Sequence, residues 1–135
     1  MGSIAEIGAQ QAMIIQIPLE VPSQNVTDRM HHMARHRLKQ TWALRIKGTV
    51  LALWKAKETR KMAVTIHSYR TRRITDHANL VGGCKMVIDA IRDAGLIVDD
   101  SDKWMVATYN QDVASKSPTG GPCTVINIEP WPEVA

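Results

Sequence analysis

The sequence has little of what marks a secreted or a membrane protein. Its 135 residues include no Phe and only two Cys, which lie far apart at Cys84 and Cys123 and match no CxxC or other zinc-ligand spacing. No apolar stretch approaches the roughly 20 residues that a bilayer crossing requires. The N-terminus lacks the basic start and apolar core of a signal peptide. These absences predict a reduced, cytoplasmic protein that is not embedded in a membrane.

The chain has the length of one ordinary domain. With 135 residues, 44% of them hydrophobic, it can bury one core of modest size. We expect residues 1–12 to form a disordered leader and residues 13–135 to form a single domain.

Charge is distributed unevenly along the chain. The formal net charge is +4, but residues 29–73 contain thirteen Lys or Arg and one acid, Glu58. The segments before and after this basic block are both net acidic. Such a block is typical of proteins that bind a polyanion, because Lys and Arg displace the counterions condensed on nucleic-acid phosphates. A solvated basic helix face is the alternative interpretation.

Hydrophobic periodicity predicts the element order β, α, β, α, β, β. The expected strands lie near 13–19, 61–69, 104–109 and 123–128, and the expected helices near 29–57 and 80–94. Residues 96–98 are a short apolar segment after the second helix. Gly48 is expected to kink or divide the first helix, and Gly95 to end the second. This order predicts an α+β fold in which a single mixed β-sheet packs against two main helices.

Three acids flank the second predicted helix. Asp76 precedes it, and Asp99 and Asp100 follow the short apolar segment after it. A helix and a return strand can bring their flanks together, and clustered carboxylates suit Mg²⁺ or Mn²⁺, which can activate water for phosphodiester cleavage. The alternative is structural: Asp76 as a helix cap and the Asp pair as a turn.

Charged pairs on the predicted helices allow two interpretations. Lys85 and Asp89 share one helix face, either as a surface ion pair or with Lys85 stabilising charge on a phosphate. His32 and His36 lie one helical turn apart but lack the Glu of an HExxH motif, so phosphate contact is favoured over metal binding.

The segment from Asp76 to Asp100 resembles the signature of the RusA-type Holliday junction resolvases, small endonucleases common in phages. The family pattern has D-x-D-N-L, a lysine, an aspartate four residues later, A-G and a terminal D-D. Positions that fall on it in order are Asp76, Asn79, Leu80, Lys85, Asp89, Ala94, Gly95, Asp99 and Asp100. The early Pro22 to Asn25 segment, followed by His31 and His32, is also similar to the family's N-terminal region.

The resemblance implies a cytoplasmic, RusA-like homodimer, encoded by a phage or prophage, that makes paired incisions in a four-way DNA junction with Mg²⁺. It implies that Asp76 and Asp100 bind the metal, with Asp99 and Asp89 as further acids, and that Lys85 stabilises the phosphate. DNA contacts are expected from basic residues of the central block: Arg29, His31, His32, Arg35, Arg37, Lys39, Arg70, Arg72 and Arg73.

One departure from the family pattern concerns the second aspartate, where this chain has Ala78. A methyl group cannot bind a metal, so the site loses a carboxylate unless another acid or His77 replaces it. Three explanations stay open: a subfamily that uses other ligands, a substitution that inactivates the site, or a protein that binds branched DNA without cutting it. A basic RNA-binding protein is a further alternative.

Overall fold

The protein was analysed as a computed structural model that describes residues 2–7, 12–51, 53 and 56–132. The described strands are β1 (Ile4–Ile7), β2 (Met13–Ile17), β3 (Met62–Arg70), β4 (Met105–Val113) and β5 (Cys123–Pro130). The described helices are α1 (Gln24–Arg29), α2 (His32–Leu51), α3 (His77–Gly83) and α4 (Lys85–Asp93), with one 3₁₀ turn at Ala114–Lys116.

The five described strands form one mixed sheet in the order β1-β2-β5-β3-β4. β3 and β4 are parallel, and the other neighbouring pairs are antiparallel. Parallel neighbours need a crossover connection, which here contains α3 and α4. The predicted α+β class with a single mixed sheet and helices is confirmed.

The core lies between one face of the sheet and the helices. β3 alternates strictly between buried and half-buried residues, as expected of a strand with one face covered. Its buried face, which includes Val64 and Ile66, belongs to the same apolar cluster as Ile46 of α2 and Ile91 of α4. Trp42 of α2 is fully buried in this cluster. Trp54, the other tryptophan of the predicted apolar stripe, lies outside the described residues.

The first helical region differs from its prediction in two ways. The residues before Arg29 were expected to be a loop, but α1 forms there because the Ser23 hydroxyl caps it, accepting from the Val26 N–H at 3.2 Å. Gly48 neither kinks nor divides α2, which continues to Leu51. The glycine is exposed and has open space around its Cα, so the helix passes through it without a steric demand.

The N-terminal segment is also more ordered than predicted. Residues 4–7, within the expected leader, form β1 and pair with β2 from Ile4↔Gln16 to Ile7↔Met13. β2 is an apolar, β-branched strand, and β1 forms backbone hydrogen bonds with its outer edge, which would otherwise be unpaired. Residues 1 and 8–11 of the expected leader lie outside the described part of the chain.

The second predicted helix is divided in two. α3 ends at Gly83 and α4 begins at Lys85, with Cys84 between them. Gly95 ends α4 as predicted: its φ of 78° and the Leu96 N–H bond to the Ile91 carbonyl at 2.9 Å form a glycine C-cap. The short apolar segment at 96–98 forms a bend that buries Leu96 and Ile97.

Candidate functional site

A groove of about 440 Å³ opens between the two pairs of helices. α1 and α2 form one wall, and α3 and α4 form the other. The lining residues are Gln24, Thr27, Asp28, His32, Arg35, His36, Lys39, Gly82, Gly83, Lys85, Met86 and Asp89. Most of the polar side chains among them are charged or imidazole groups, so the groove is suited to an ionic ligand.

Two consecutive glycines allow the walls to meet at the base of the groove. A Cβ atom on Gly83 would lie 1.8 Å from the carbonyl oxygen of Pro22, and one on Gly82 would lie 2.1 Å from the Gln24 side chain. The same two segments are joined by the Asn25 N–H, which donates to Asn79 Oδ1 at 2.8 Å. The close approach of α1 to α3 therefore depends on the missing side chains.

The groove presents cations that have no acidic partner. Within the described part of the chain, no carboxylate lies within ion-pair distance of Arg35, His36 or Lys85. All three are exposed. Asp28 on the opposite wall from Lys85 is exposed and equally free of a described ion pair. The groove thus offers unpaired charges of both signs to a ligand.

Asp89 has a structural environment. Its side chain is 9% exposed and lies 3.6 Å from Lys39 Nζ and 3.5 Å from Arg92 Nη2. The Lys39 contact joins α2 to α4 across the groove. Lys85, the partner expected from helical spacing, forms no ion pair with it. The carboxylate therefore holds the two helices together.

The other predicted acids lie in separate environments. Asp76 is the N-cap of α3, and its Oδ1 accepts from the Ala78 N–H at 3.0 Å, as in the structural alternative. Asp100 Oδ2 lies 3.9 Å from Arg92 Nη1. The preceding residue, Asp99, is half-buried. Among the described residues, no group of three His, Cys, Asp or Glu side chains is arranged to hold a metal ion. The described carboxylates are therefore not grouped as a site for Mg²⁺ or Mn²⁺. Binding of either ion stays a prediction.

The residues expected to contact DNA fall into three places. They line the groove (His32, Arg35, Lys39), a second cavity at the end of β3 (Arg70, Arg72, Arg73), or the exposed surface outside both (Arg29, His31, Arg37). His31 has a structural contact, since its Nδ1 accepts from the Met33 N–H at 3.2 Å at the start of α2. The basic block therefore does not line a single cavity.

Three weakly acidic side chains, two thiols and one phenol, have raised pKa values. Burial raises the pKa of the Cys84 thiol to about 12, and the nearby Arg70 charge opposes this only in part. Burial, with smaller contributions from Cys84 and Asp100, raises the pKa of Tyr109. Burial also raises the pKa of Cys123. Both thiols are free and buried, and the raised pKa values disfavour the reactive thiolate form.

Sequence reasoning missed several lining residues of the groove. Neither Gln24 nor Asp28 was predicted to contact a ligand. The signal that was available is the Gly82-Gly83 pair, because consecutive glycines inside a helical pattern indicate a close approach of another segment. Its partner, Pro22, is about 60 residues away and carries no sequence signal of the contact.

Comparisons with solved structures find a similar fold in a cell-envelope protein. The sequence itself matches no known family model and no curated protein. The periplasmic domain of Helicobacter pylori MotB is 12% identical with a TM-score of 0.51, over 97% of this chain and 81% of that one. Two other structures are less similar. The cell wall anchor of the Pseudomonas aeruginosa T6SS is 13% identical with a TM-score of 0.45, over 96% of this chain and 88% of that one. The OmpA-like domain of Francisella tularensis FopA1 is 8% identical with a TM-score of 0.38, over 98% of this chain and 83% of that one.

These findings contradict the resolvase assignment. The fold is similar to that of a periplasmic domain, so membership of the RusA-type family and the endonuclease activity are corrected. The four-way junction as partner, a non-cleaving branched-DNA binder and the cytoplasmic location are corrected on the same finding. The homodimer and the phage origin were implied only by that resemblance and lose their basis with it. None of the described helices has the length and apolar character to cross a membrane.

Proposed function

We propose that the chain is a single, non-catalytic binding domain whose groove binds a polymer that carries both carboxylates and amines. The observation that carries this proposal is that Arg35, Lys85 and Asp28 line one groove, and none of the three forms an ion pair with a described residue. Arg35 and Lys85 are suited to carboxylates, and Asp28 to an ammonium group. A pure polyanion gains from the cations but is repelled by Asp28.

Peptidoglycan has this mixed chemistry, because its peptide stems carry free carboxylates and amino groups a few bonds apart. The fold similarity to a periplasmic domain supports testing it first, since peptidoglycan is the polymer that a protein of the periplasm meets. The groove is also only partly enclosed, and a partly open groove accommodates a segment of a long polymer.

The proposal is tested by co-sedimentation with purified insoluble peptidoglycan. The wild-type protein is expected to sediment with it, and Arg35→Ala and Lys85→Ala are expected to weaken binding about tenfold each, the usual effect of losing a charge-assisted hydrogen bond. Arg45→Ala is the matched control: Arg45 is exposed on α2 but does not line the groove.

Two results would overturn the proposal. One is that the folded wild-type protein stays in the supernatant at low salt. The other is that Arg45→Ala weakens binding as much as Arg35→Ala, because the interaction would then depend on net charge and not on the groove.

A further inference from the structure

A second cavity, of about 450 Å³, lies at the end of β3 and shares no lining residue with the groove. Its lining includes three arginines, Arg70, Arg72 and Arg73, and one acid, Glu20. The Glu20 carboxylate accepts from the Thr71 N–H at 2.7 Å, and no ion pair joins it to any of the three arginines. The lining therefore has an excess of positive charge.

Arg70 is a buried cation without a counterion. It is 7% exposed, and its Nε donates to the Arg72 carbonyl at 3.1 Å. Its Nη1 donates to the Val21 carbonyl and, at 3.2 Å, to Ser68 Oγ. All these acceptors are neutral, and none of these bonds uses Nη2. No carboxylate of the described residues lies within ion-pair distance of the guanidinium.

Burying an unpaired charge is costly, and proteins ordinarily compensate it with an opposite charge. The neutral acceptors orient the Arg70 fork but do not neutralise it. Because Arg70 and the exposed Arg72 and Arg73 border the same space, an anion placed there would contact a rigid, preoriented guanidinium and two adaptable ones. Guanidinium forks match the geometry of carboxylate and phosphate oxygens.

We propose that this cavity is a binding site for a small oxyanion, a phosphate or a carboxylate group, separate from the groove. The anion supplies the counterion that Arg70 lacks. Arg70 provides the fixed contact, and the exposed Arg73, which lines the same cavity, provides the contact that closes over the anion. The site does not depend on the ligand proposed for the groove.

The test is a titration of the whole chain with sodium phosphate and, separately, sodium acetate, each at constant ionic strength maintained with NaCl. The Arg70 Nε–H resonance is followed by ¹H–¹⁵N NMR. A saturable shift with a dissociation constant of about 1–10 mM is expected for at least one anion. Comparison of the two anions shows whether phosphate or carboxylate is the better ligand. Shifts that increase linearly and match those in NaCl alone would overturn the proposal.

Variants separate the site from general charge effects. Arg73→Ala changes an exposed side chain and is expected to weaken binding at least fivefold, while Arg45→Ala, outside both cavities, leaves it unchanged. Arg70→Lys keeps the charge but loses the fork and is expected to weaken binding about tenfold. If Arg70→Lys does not fold, Arg73→Ala decides: affinity equal to that of Arg45→Ala would overturn the proposal.

Discussion

The carbonyl oxygen of Pro22 occupies the space that a side chain on Gly83 would need, since a Cβ atom there would lie only 1.8 Å from it. This contact fixes α1 against α3 and so defines the width of the groove. Backbone atoms cannot move aside as a flexible side chain can. Any larger residue at position 83 would therefore clash with the backbone at Pro22.

Gly83→Ala is therefore expected to lower the free energy of unfolding by about 3 kcal/mol, near the upper end of the usual cost of overpacking a buried position. Gly48→Ala is the matched control, because Gly48 is an exposed helical glycine with no atom within 4 Å of its would-be Cβ. It should stabilise the protein by about 0.5–1 kcal/mol. Urea unfolding measures both, and equal effects of the two changes would contradict this account of the contact.

Asp89 is expected to stabilise the helix pairing rather than to bind a metal. Asp89→Asn removes the buried charge that pairs with Lys39 and Arg92, and should lower the free energy of unfolding by about 1–2 kcal/mol, since both partners stay partly solvated. Asp93→Asn is the control: its side chain is 60% exposed, and the change should cost less than about 0.5 kcal/mol.

The opposite result would indicate a metal site at Asp89. If Asp89→Asn raised the free energy of unfolding in metal-free buffer, and Mg²⁺ stabilised only the wild-type protein, the structural role would be wrong. Thermal unfolding with and without the ion distinguishes the two cases.

The buried thiol predicts a loss of stability at high pH. The pKa of Cys84 is raised from an ordinary value of 9.0 to about 12, so the folded state holds this proton more tightly than the unfolded state does. Its contribution to stability is complete below pH 9 and is lost as the pH rises towards 12. Cys84→Ala should therefore reduce the fall in unfolding free energy over this range.

Two further measurements complete this prediction. The pKa of Tyr109 is also raised, so the Tyr109→Phe variant separates the contribution of this residue to the pH dependence. At pH 8 a thiol reagent should label Cys84 and Cys123 only after unfolding, because both are buried and protonated in the folded state. Rapid labelling of the native protein would contradict the burial of these residues.

The sequence predicted elements whose signal is local. The alternation in β3 and the long periodicity of α2 are properties of consecutive residues, and both elements are present near their expected positions. α1 was missed because its cap, Ser23, lies among residues that are typical of loops. The break at Cys84 was missed because Cys84 itself falls on the apolar period of the predicted helix, so the pattern continues through it.

The candidate site was less predictable than the fold. The charged side chains of α2 and Lys85 were recognised as ligand-binding candidates, but their grouping was not. Asp89 faces Lys39 of another helix rather than Lys85 of its own, and Asp76 uses its carboxylate as a cap. A short motif specifies residue types at set spacings, whereas the partner of each side chain is decided by tertiary packing.

The most direct test of the proposed function is the effect of Asp28→Asn on affinity, measured by calorimetry. The ligands are a soluble peptidoglycan fragment with a free amine and, in parallel, a short DNA duplex. The account predicts that the fragment binds more tightly than the duplex, and that Asp28→Asn weakens fragment binding about fivefold through loss of a charged hydrogen bond. Tighter binding of the duplex, strengthened further by Asp28→Asn, would contradict the account and indicate a polyanion as the ligand.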